Sequence, residues 1–304
     1  MRDTFVKTLI EAAKGDPRIE LVTGDLGFGV LKPFWEQCPN QFTNAGIAEQ
    51  NMTSLAAGLA LEGKIVFTYS IGNFPTLRCL EQIRNDCAYH RANVKIVCVG
   101  GGFAYGPLGM SHQATEDIAI MRALPGVLVA CPGDPAEAAA LTEAIIDWPG
   151  TCYLRLGRGG EERIHDRLES YEMGRAIKVR DGEDAALFST GGILSEVVRA
   201  ADLLKAQGMS SAVYSFPTVK PIDRNTILEC GSRFSLIAAV EEHNHLGGFG
   251  GAVAEILSER PARAALLRFG LNDCYGTEVG DQAYLRHYYG LSAEKIVEKI
   301  TAVV

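Results

Sequence analysis

The sequence predicts an α/β protein built as two consecutive doubly wound α/β domains, and three observations carry that expectation. Short β-branched or apolar runs alternate with helix-period segments from end to end, as a largely parallel sheet with crossover helices requires. A length of 304 residues allows about two domains of ordinary size, each with its own core. A composition of 47% apolar and 22% charged residues, with 33 glycines spread along the chain, belongs to a globular protein rather than a disordered or fibrous one.

The first domain reads in order as a helix over Arg2 to Lys14, a strand Ile19 to Thr23, a helix Glu49 to Leu61 and a strand Ile65 to Tyr69. A longer helix over Leu77 to His90 follows, then a strand Val94 to Val99, a glycine-rich loop, a helix Glu116 to Arg122 and a strand Val127 to Ala130. The helix Pro135 to Asp147 and the strand Cys152 to Leu156 complete a domain over residues 1–160. The text between Gly157 and Asp184 is charged and holds no period for long, which makes residues 161–183 the expected linker. A smaller α/β domain over 184–304 follows. Its expected strands are Ala185 to Ser189, Ser211 to Ser215, Leu236 to Val240 and Ala265 to Arg268, and its expected helices run near Leu194 to Gln207, Asp223 to Gly231, Gly250 to Arg260 and Ala293 to Thr301.

Charge and composition exclude several classes. Acidic residues outnumber basic ones, 37 to 29, so the footprint of a nucleic-acid or anionic-membrane binder is missing. No apolar run approaches the roughly 20 residues of a bilayer span. The eight cysteines stand singly, without a CxxC pair and often inside apolar strings such as KIVCVG, as reduced core thiols do. A cytoplasmic protein is expected. Neither glycine-rich stretch is a nucleotide motif: with Gly248 and Gly250 as its first two glycines the dinucleotide fingerprint meets Val253, and GGGFAYGPLG lacks the Lys-Ser/Thr ending of a P-loop.

The segment FTNAGIAEQNMTSLAAGLALEG places Met52, Leu55, Ala56 and Leu59 at helical spacing with Glu49 in the first turn, where a carboxylate ordinarily complements the helix dipole. A glycine-bearing turn precedes it, and a strand ending at Tyr69 and the loop SIGNFPTLRCLEQIRND follow. In this arrangement Arg2 to about Gly160 resembles the pyrimidine-binding domain of thiamine-diphosphate enzymes, most closely the transketolase group. Farther on, VEEHNHLGGFGGAVAE resembles the Val-Glu-Glu-x-x-x-x-Gly-Gly-x-Gly stretch of the transketolase C-terminal domain. Three short motifs are specific in combination: AEQNM, Ser111-His112-Gln113 and Glu116-Asp117-Ile118-Ala119.

The resemblance implies a set of roles. Glu49 is the catalytic glutamate, hydrogen-bonded to the cofactor's pyrimidine so that the ring's exocyclic nitrogen can take the thiazolium proton. Phe74, with Tyr69 second, is the aromatic expected against the pyrimidine, and Asp25 in VTGDLG lies near the cofactor. His112 is expected beside the thiazolium carbon, on the donor ketose hydroxyl. Arg2 and Arg158 match two substrate-phosphate arginines, a task that suits the guanidinium fork. Three positions depart from the family pattern: Gly29 replaces a common serine, Gly100 or Gly101 a histidine, and Leu108 an aspartate that reads a sugar hydroxyl. A leucine cannot hydrogen-bond a hydroxyl, which points to a deoxy, branched or otherwise modified sugar.

No Gly-Asp-Gly, the family's diphosphate and Mg²⁺ motif, occurs in the chain, and no metal ligands are assigned within it. The resemblance therefore implies the C-terminal subunit of a split transketolase. Its partner would be an N-terminal subunit holding the diphosphate and Mg²⁺ of thiamine diphosphate, in an α2β2 heterotetramer acting on sugars or sugar phosphates. The alternatives are the beta subunit of a 2-oxo acid dehydrogenase decarboxylase, which usually has Thr-Glu before the helix, and a 1-deoxyxylulose-phosphate synthase-like carboligase.

Overall fold

Runs that are apolar at every position form strands covered on both faces. Val94–Val99 and Cys152–Leu156, buried throughout, lie side by side near the middle of a sheet. The computed structural model describes residues 1–303; residue 304, the last of the expected second domain, lies outside them. Its strands are β1 (Ile19–Thr23), β2 (Phe42–Asn44), β3 (Ile65–Ile71), β4 (Val94–Val99), β5 (Leu128–Ala130), β6 (Cys152–Leu156), β7 (Ile177–Arg180), β8 (Ala185–Thr190), β9 (Ser211–Ser215), β10 (Thr218–Lys220), β11 (Leu236–Asn244) and β12 (Ala265–Leu271).

The first sheet has the order β10-β5-β6-β4-β3-β1-β2 and is parallel except for β10. The second has the order β12-β11-β8-β9-β7 and is parallel except for β7. Two α/β units of doubly wound character result, as expected. One strand crosses between them: β10 follows β9 of the second sheet in sequence but pairs with β5, so the first sheet borrows its edge from the second half of the chain.

Helix Arg2–Gly15 buries Phe5, Val6, Leu9, Ile10 and Ala13 and packs with helix Pro135–Asp147 on one face of the first sheet. Helix Glu49–Leu61 lies on the other face, burying Met52, Ala56 and Ala57. The apolar cluster behind it runs on into the second unit, where the Phe216 ring lies 4.9 Å from Phe188 and 5.1 Å from Phe249.

Several elements differ from expectation. The helix expected over Leu77 to His90 is a 3₁₀ turn (Leu77–Cys79), one α turn (Leu80–Gln82) and a π-helical stretch (Ile83–Ala88). Helix Phe28–Gln37, strands β2, β7 and β10, and helix Gln282–Tyr288 escape the sequence reading. Seven of the cysteines are buried, but Cys274 is exposed and is not a core thiol. No helix among the described residues is long and apolar enough to cross a membrane.

The stretch expected to be a free linker contains β7 and is also pinned to the first unit. Asp134 caps helix Pro135–Asp147 through Oδ1, which accepts from the Glu137 amide at 2.8 Å, while Oδ2 accepts from the amides of Ile164 at 2.9 Å and His165 at 2.8 Å. Glu137 accepts from the Gly133 amide and shares a 2.9 Å hydrogen bond with His165 Nε2. Because Asp134 is fully buried, Asp134→Ala strands three amides and should lower stability by about 2–4 kcal/mol, read as a shift of the urea midpoint.

The hydrogen bond to Glu137 raises the His165 pKa against the opposing effect of burial. A raised histidine pKa contributes stability that is complete below the unfolded value of about 6.5 and is lost as pH climbs through the folded value. Urea midpoints between about pH 6 and pH 8 should therefore fall less in His165→Gln than in the wild type.

Candidate active site

The carboxyl ends of the parallel strands of the first sheet carry the loops in which the sequence-predicted residues sit. Glu49 opens its helix and is only 5% exposed, because the helix lies flat on the sheet with Gly24 against the Glu49 stem. Its Oε2 accepts from Arg78 Nη1 at 2.9 Å. Its Oε1 has no hydrogen-bond partner among the described residues and is not sealed from solvent. The Arg78 guanidinium also lies 4.6 Å from the centre of the Phe74 ring, and that ring meets the His112 imidazole edge to face at 5.2 Å. Glu49, Phe74 and His112 are thus joined into one continuous group by an arginine that sequence reasoning passed over.

His112 closes a short 3₁₀ turn, Met110–His112, on the loop after β4. Ser111 Oγ and His112 Nδ1 share a 3.0 Å hydrogen bond, which leaves Nε2 without a protein partner among the described residues. The loop is held from two sides. Asn73 Nδ2 donates to the Gln113 carbonyl at 2.5 Å, and Gly102 pairs with Ala114 through reciprocal backbone bonds of 2.8 and 3.0 Å.

Tyr69 does not join this group. Alternate residues of a strand face opposite sides, and the side of β3 that carries Ile65, Phe67 and Tyr69 packs on helix Arg2–Gly15, with Tyr69 stacked on Phe5 at 6.3 Å. Tyr69, expected second to Phe74 against the pyrimidine, therefore packs in the cluster of helix Arg2–Gly15, apart from Phe74 and Glu49. Burial pushes its hydroxyl pKa up, with Arg2 opposing the shift.

Arg2 and Arg158 converge on Tyr105. The Arg158 guanidinium lies 5.4 Å from the Tyr105 ring centre, and both arginines oppose the upward shift that burial imposes on the Tyr105 hydroxyl. Gly29 lines the same surface cleft as Arg2. Asp25, with a left-handed φ of 58°, is locked to Asn44 by a reciprocal pair: its amide donates to Asn44 Oδ1 at 3.0 Å, and Asn44 Nδ2 donates to Asp25 Oδ1 at 2.9 Å. Leu108 is 56% exposed and stands near the equally open Met110, while Val279 of the second unit approaches Gly109.

Two glycines that depart from the family pattern have local reasons. A Cβ on Gly100, whose φ is +91°, would lie 2.1 Å from the Tyr105 ring, and one on Gly101 would lie 2.7 Å from the Arg155 guanidinium. A histidine at either position would displace one of those side chains.

Arg155 is the second residue that sequence reasoning missed, although a lone arginine inside the apolar strand CYLRL was a visible signal. Its Nε donates to Asp117 Oδ2 at 2.7 Å, and Nη2 donates to the carbonyls of Ala114 at 2.7 Å and Glu242 at 3.0 Å. Tyr153 donates to the same Asp117 oxygen. Burial alone would raise the Asp117 pKa, but Arg155 and its companions hold it below the usual carboxylate range. His243 Nε2 lies 3.3 Å from the Ala119 amide, and its Nδ1 lies 2.7 Å from the Asn244 carbonyl. The EEHNH text therefore ties β11 to the helix that follows the His112 loop. Glu241 instead caps helix Phe249–Ser258, accepting from the amides of Phe249 at 2.6 Å and Gly250 at 2.7 Å.

Comparison with known proteins gives the family of the chain. Residues 1–160 match the transketolase pyrimidine binding domain, and residues 174–296 match the transketolase C-terminal domain. The chain belongs to the transketolase family. A "Putative transketolase C-terminal section" of Methanocaldococcus jannaschii is 39% identical over 303 residues, covering 99% of this chain and 95% of that one. The "6-deoxy-6-sulfo-D-fructose transketolase subunit SqwH" of Clostridium sp. is 37% identical, covering 98% of this chain and 92% of that one. The solved structure "Split gene transketolase, inactive beta4 tetramer" superposes with a TM-score of 0.89 at 34% identity, covering 99% of this chain and 96% of that one.

Transketolase chemistry needs thiamine diphosphate, and the residues present fit the pyrimidine end of it: a buried carboxylate with one oxygen uncommitted, an aromatic ring beside it and an imidazole with a free nitrogen. The pair behind the His112 loop is testable without substrate. Asp117→Ala leaves the buried Arg155 uncompensated and should cost about 3–5 kcal/mol in urea unfolding, whereas Tyr153→Phe should cost about 1 kcal/mol.

Proposed function

We propose that this chain is the C-terminal subunit of a two-chain thiamine-diphosphate-dependent transketolase, moving a two-carbon ketol unit from a ketose donor to an aldose acceptor. The observation that carries the reading is the uncommitted Oε1 of buried Glu49, within one group with Phe74 and His112. A separate N-terminal subunit supplies the diphosphate and Mg²⁺ site in an α2β2 heterotetramer. The absence of Gly-Asp-Gly from the chain and the relatives named as a C-terminal section and a subunit support that division. A cytoplasmic setting fits cysteines that are all free of disulfides.

When bound, the thiazolium supplies the electron sink for breaking the bond beside the ketose carbonyl. Glu49 Oε1 would hold the pyrimidine nitrogen, with Arg78 on the other oxygen orienting the carboxylate. Phe74 gives the pyrimidine an apolar neighbour, and Asp25, held by Asn44, borders the same side. His112 Nε2 exchanges protons with substrate hydroxyls, its ring held by Ser111 and Phe74. Arg2 and Arg158 on either side of Tyr105 receive an anionic group of the sugar. Leu108 and Met110 give the mouth an apolar rim, which favours a deoxy, branched or otherwise modified sugar over one with a hydroxyl at that point.

The test is reconstitution with the partner subunit. Hydroxypyruvate should serve as ketol donor, and Glu49→Gln should lower transfer by about 10²-fold or more while the complex still assembles. Decarboxylation of pyruvate or a branched 2-oxo acid without ketol transfer would favour the 2-oxo acid dehydrogenase beta-subunit reading instead. Joining pyruvate to an aldehyde would favour the 1-deoxyxylulose-phosphate synthase-like one.

A further inference from the structure

A second polar cavity of about 240 Å³ lies between the two units, on the far side of Arg155 from the His112 loop. It opens at the carboxyl ends of β8 and β11. There the second sheet reverses its winding: β8 leads through helix Leu194–Ala206 to β9 on one side, and β11 leads through helix Phe249–Ser258 to β12 on the other. Such a switch point leaves a crevice that crossover connections do not fill.

The hydrogen-bonding valences around the cavity are unbalanced. Its carboxylates are already engaged. Glu242 accepts from the Phe103 amide, from Gln282 and from Arg286 Nε, and Glu161 accepts from the Met1 amine and the Gly159 amide. Glu196, beneath the lining, accepts from Arg199 and from the Ala293 amide. Only Glu162, exposed at the mouth, stands uncommitted.

The donors are not engaged in the same way. Arg155 is 5% exposed, and its Nε and Nη2 are bonded, but Nη1 has no acceptor among the described residues. That nitrogen lies 3.4 Å from where a Cβ on Gly191 would stand, at the turn that opens helix Leu194–Ala206. At the same helix start, the amides of Gly192, Ile193 and Ser195 and the Ser195 hydroxyl donate to nothing among the described residues. A helix start with unpaired amides and no side-chain cap, facing a nitrogen that has no acceptor among the described residues on an otherwise buried guanidinium, is a donor set for a small anion.

We propose that this cavity binds a small oxyanion, phosphate or short carboxylate, on donors other than Arg2 and Arg158, whose cluster with Tyr105 adjoins the cavity at Gly159. The anion sits on Arg155 Nη1 and the start of helix Leu194–Ala206. Arg155 Nη2 holds the carbonyl of Ala114, two residues from His112, so occupancy is linked to the loop that carries the imidazole.

The test is calorimetric titration of the full chain with inorganic phosphate, against chloride of matched ionic strength, and separately with glycolate. Saturable phosphate binding is expected, and it should persist within about twofold in Arg2→Ala/Arg158→Ala, which removes the other candidate anion site. Ser195→Asp should weaken it by about tenfold or more, because the new carboxylate occupies the helix start and repels the anion. The same carboxylate suits a first helical turn, so the fold should hold. Should that variant not fold, Arg199→Glu, at the half-exposed edge of the cavity, should weaken binding by about fivefold. Competition by glycolate assigns a general oxyanion site, and phosphate binding without glycolate binding assigns a phosphate site. No saturable binding above the chloride control overturns the proposal. So does binding that is lost in Arg2→Ala/Arg158→Ala and retained in Ser195→Asp.

Discussion

The buried ion pair between Arg155 and Asp117 is the constraint through which the rest of the molecule is arranged. A guanidinium in the middle of a parallel sheet needs its charge paired and most of its donors met, and here Nε and Nη2 reach in three directions. Asp117 opens the helix after the His112 loop, the Ala114 carbonyl belongs to that loop, and the Glu242 carbonyl belongs to the second sheet. One side chain therefore sets the loop's position relative to both units. Gly101 must be glycine because the guanidinium passes it, and β11 must stay extended through charged residues to offer its carbonyl. The fixed loop carries the His112 imidazole, whose Nε2 has no protein partner among the described residues.

On that frame the candidate site residues fall into two clusters, separated by the alternation of side chains along β3. One contains Glu49, Arg78, Phe74 and His112 and combines a buried carboxylate with an aromatic ring and a proton-sharing group. The other contains Arg2, Tyr105 and Arg158, with Tyr69 beneath, and concentrates positive charge over aromatic rings. In the proposed reaction the first holds the cofactor's pyrimidine and the second the charged end of the sugar. Leu108 and Met110 form the apolar rim of the loop between them. Arg78 gives the first cluster its definition, because a carboxylate with one oxygen already held can present the other in only one direction.

Much of this was legible from the chain, and the exceptions have physical causes. Strands with unbroken apolar runs, such as Val94–Val99 and Cys152–Leu156, announce themselves because both faces are buried. The three-residue strands Phe42–Asn44 and Thr218–Lys220 are too short to show a period, and the second exists only because a neighbouring sheet offers it an edge. β11 runs on to Asn244 because Glu241, Glu242 and His243 are buried with partners at long sequence distance, which no local pattern encodes. Leu77 to His90 keeps the apolar spacing of a helix, yet the chain winds through 3₁₀, α and π turns. In the candidate site, Glu49, Phe74 and His112, singled out from the sequence, lie in one contiguous group. Tyr69 packs on Phe5, because the alternation of β3 turns it to the helix Arg2–Gly15 side. Arg78 shows no local signal, since its partners Glu49 and Phe74 are met only on folding, whereas the lone Arg155 inside the apolar strand CYLRL was visible but its partners were not.

The central claim is that this chain holds one end of a cofactor whose other end is gripped by a partner. Thiamine diphosphate binding, measured by calorimetry in the presence of Mg²⁺ on this chain, on the partner subunit and on their equimolar mixture, tests it most directly. The account predicts tight, stoichiometric binding by the mixture and weak or no binding by this chain alone. Equally tight binding by the isolated chain would contradict it.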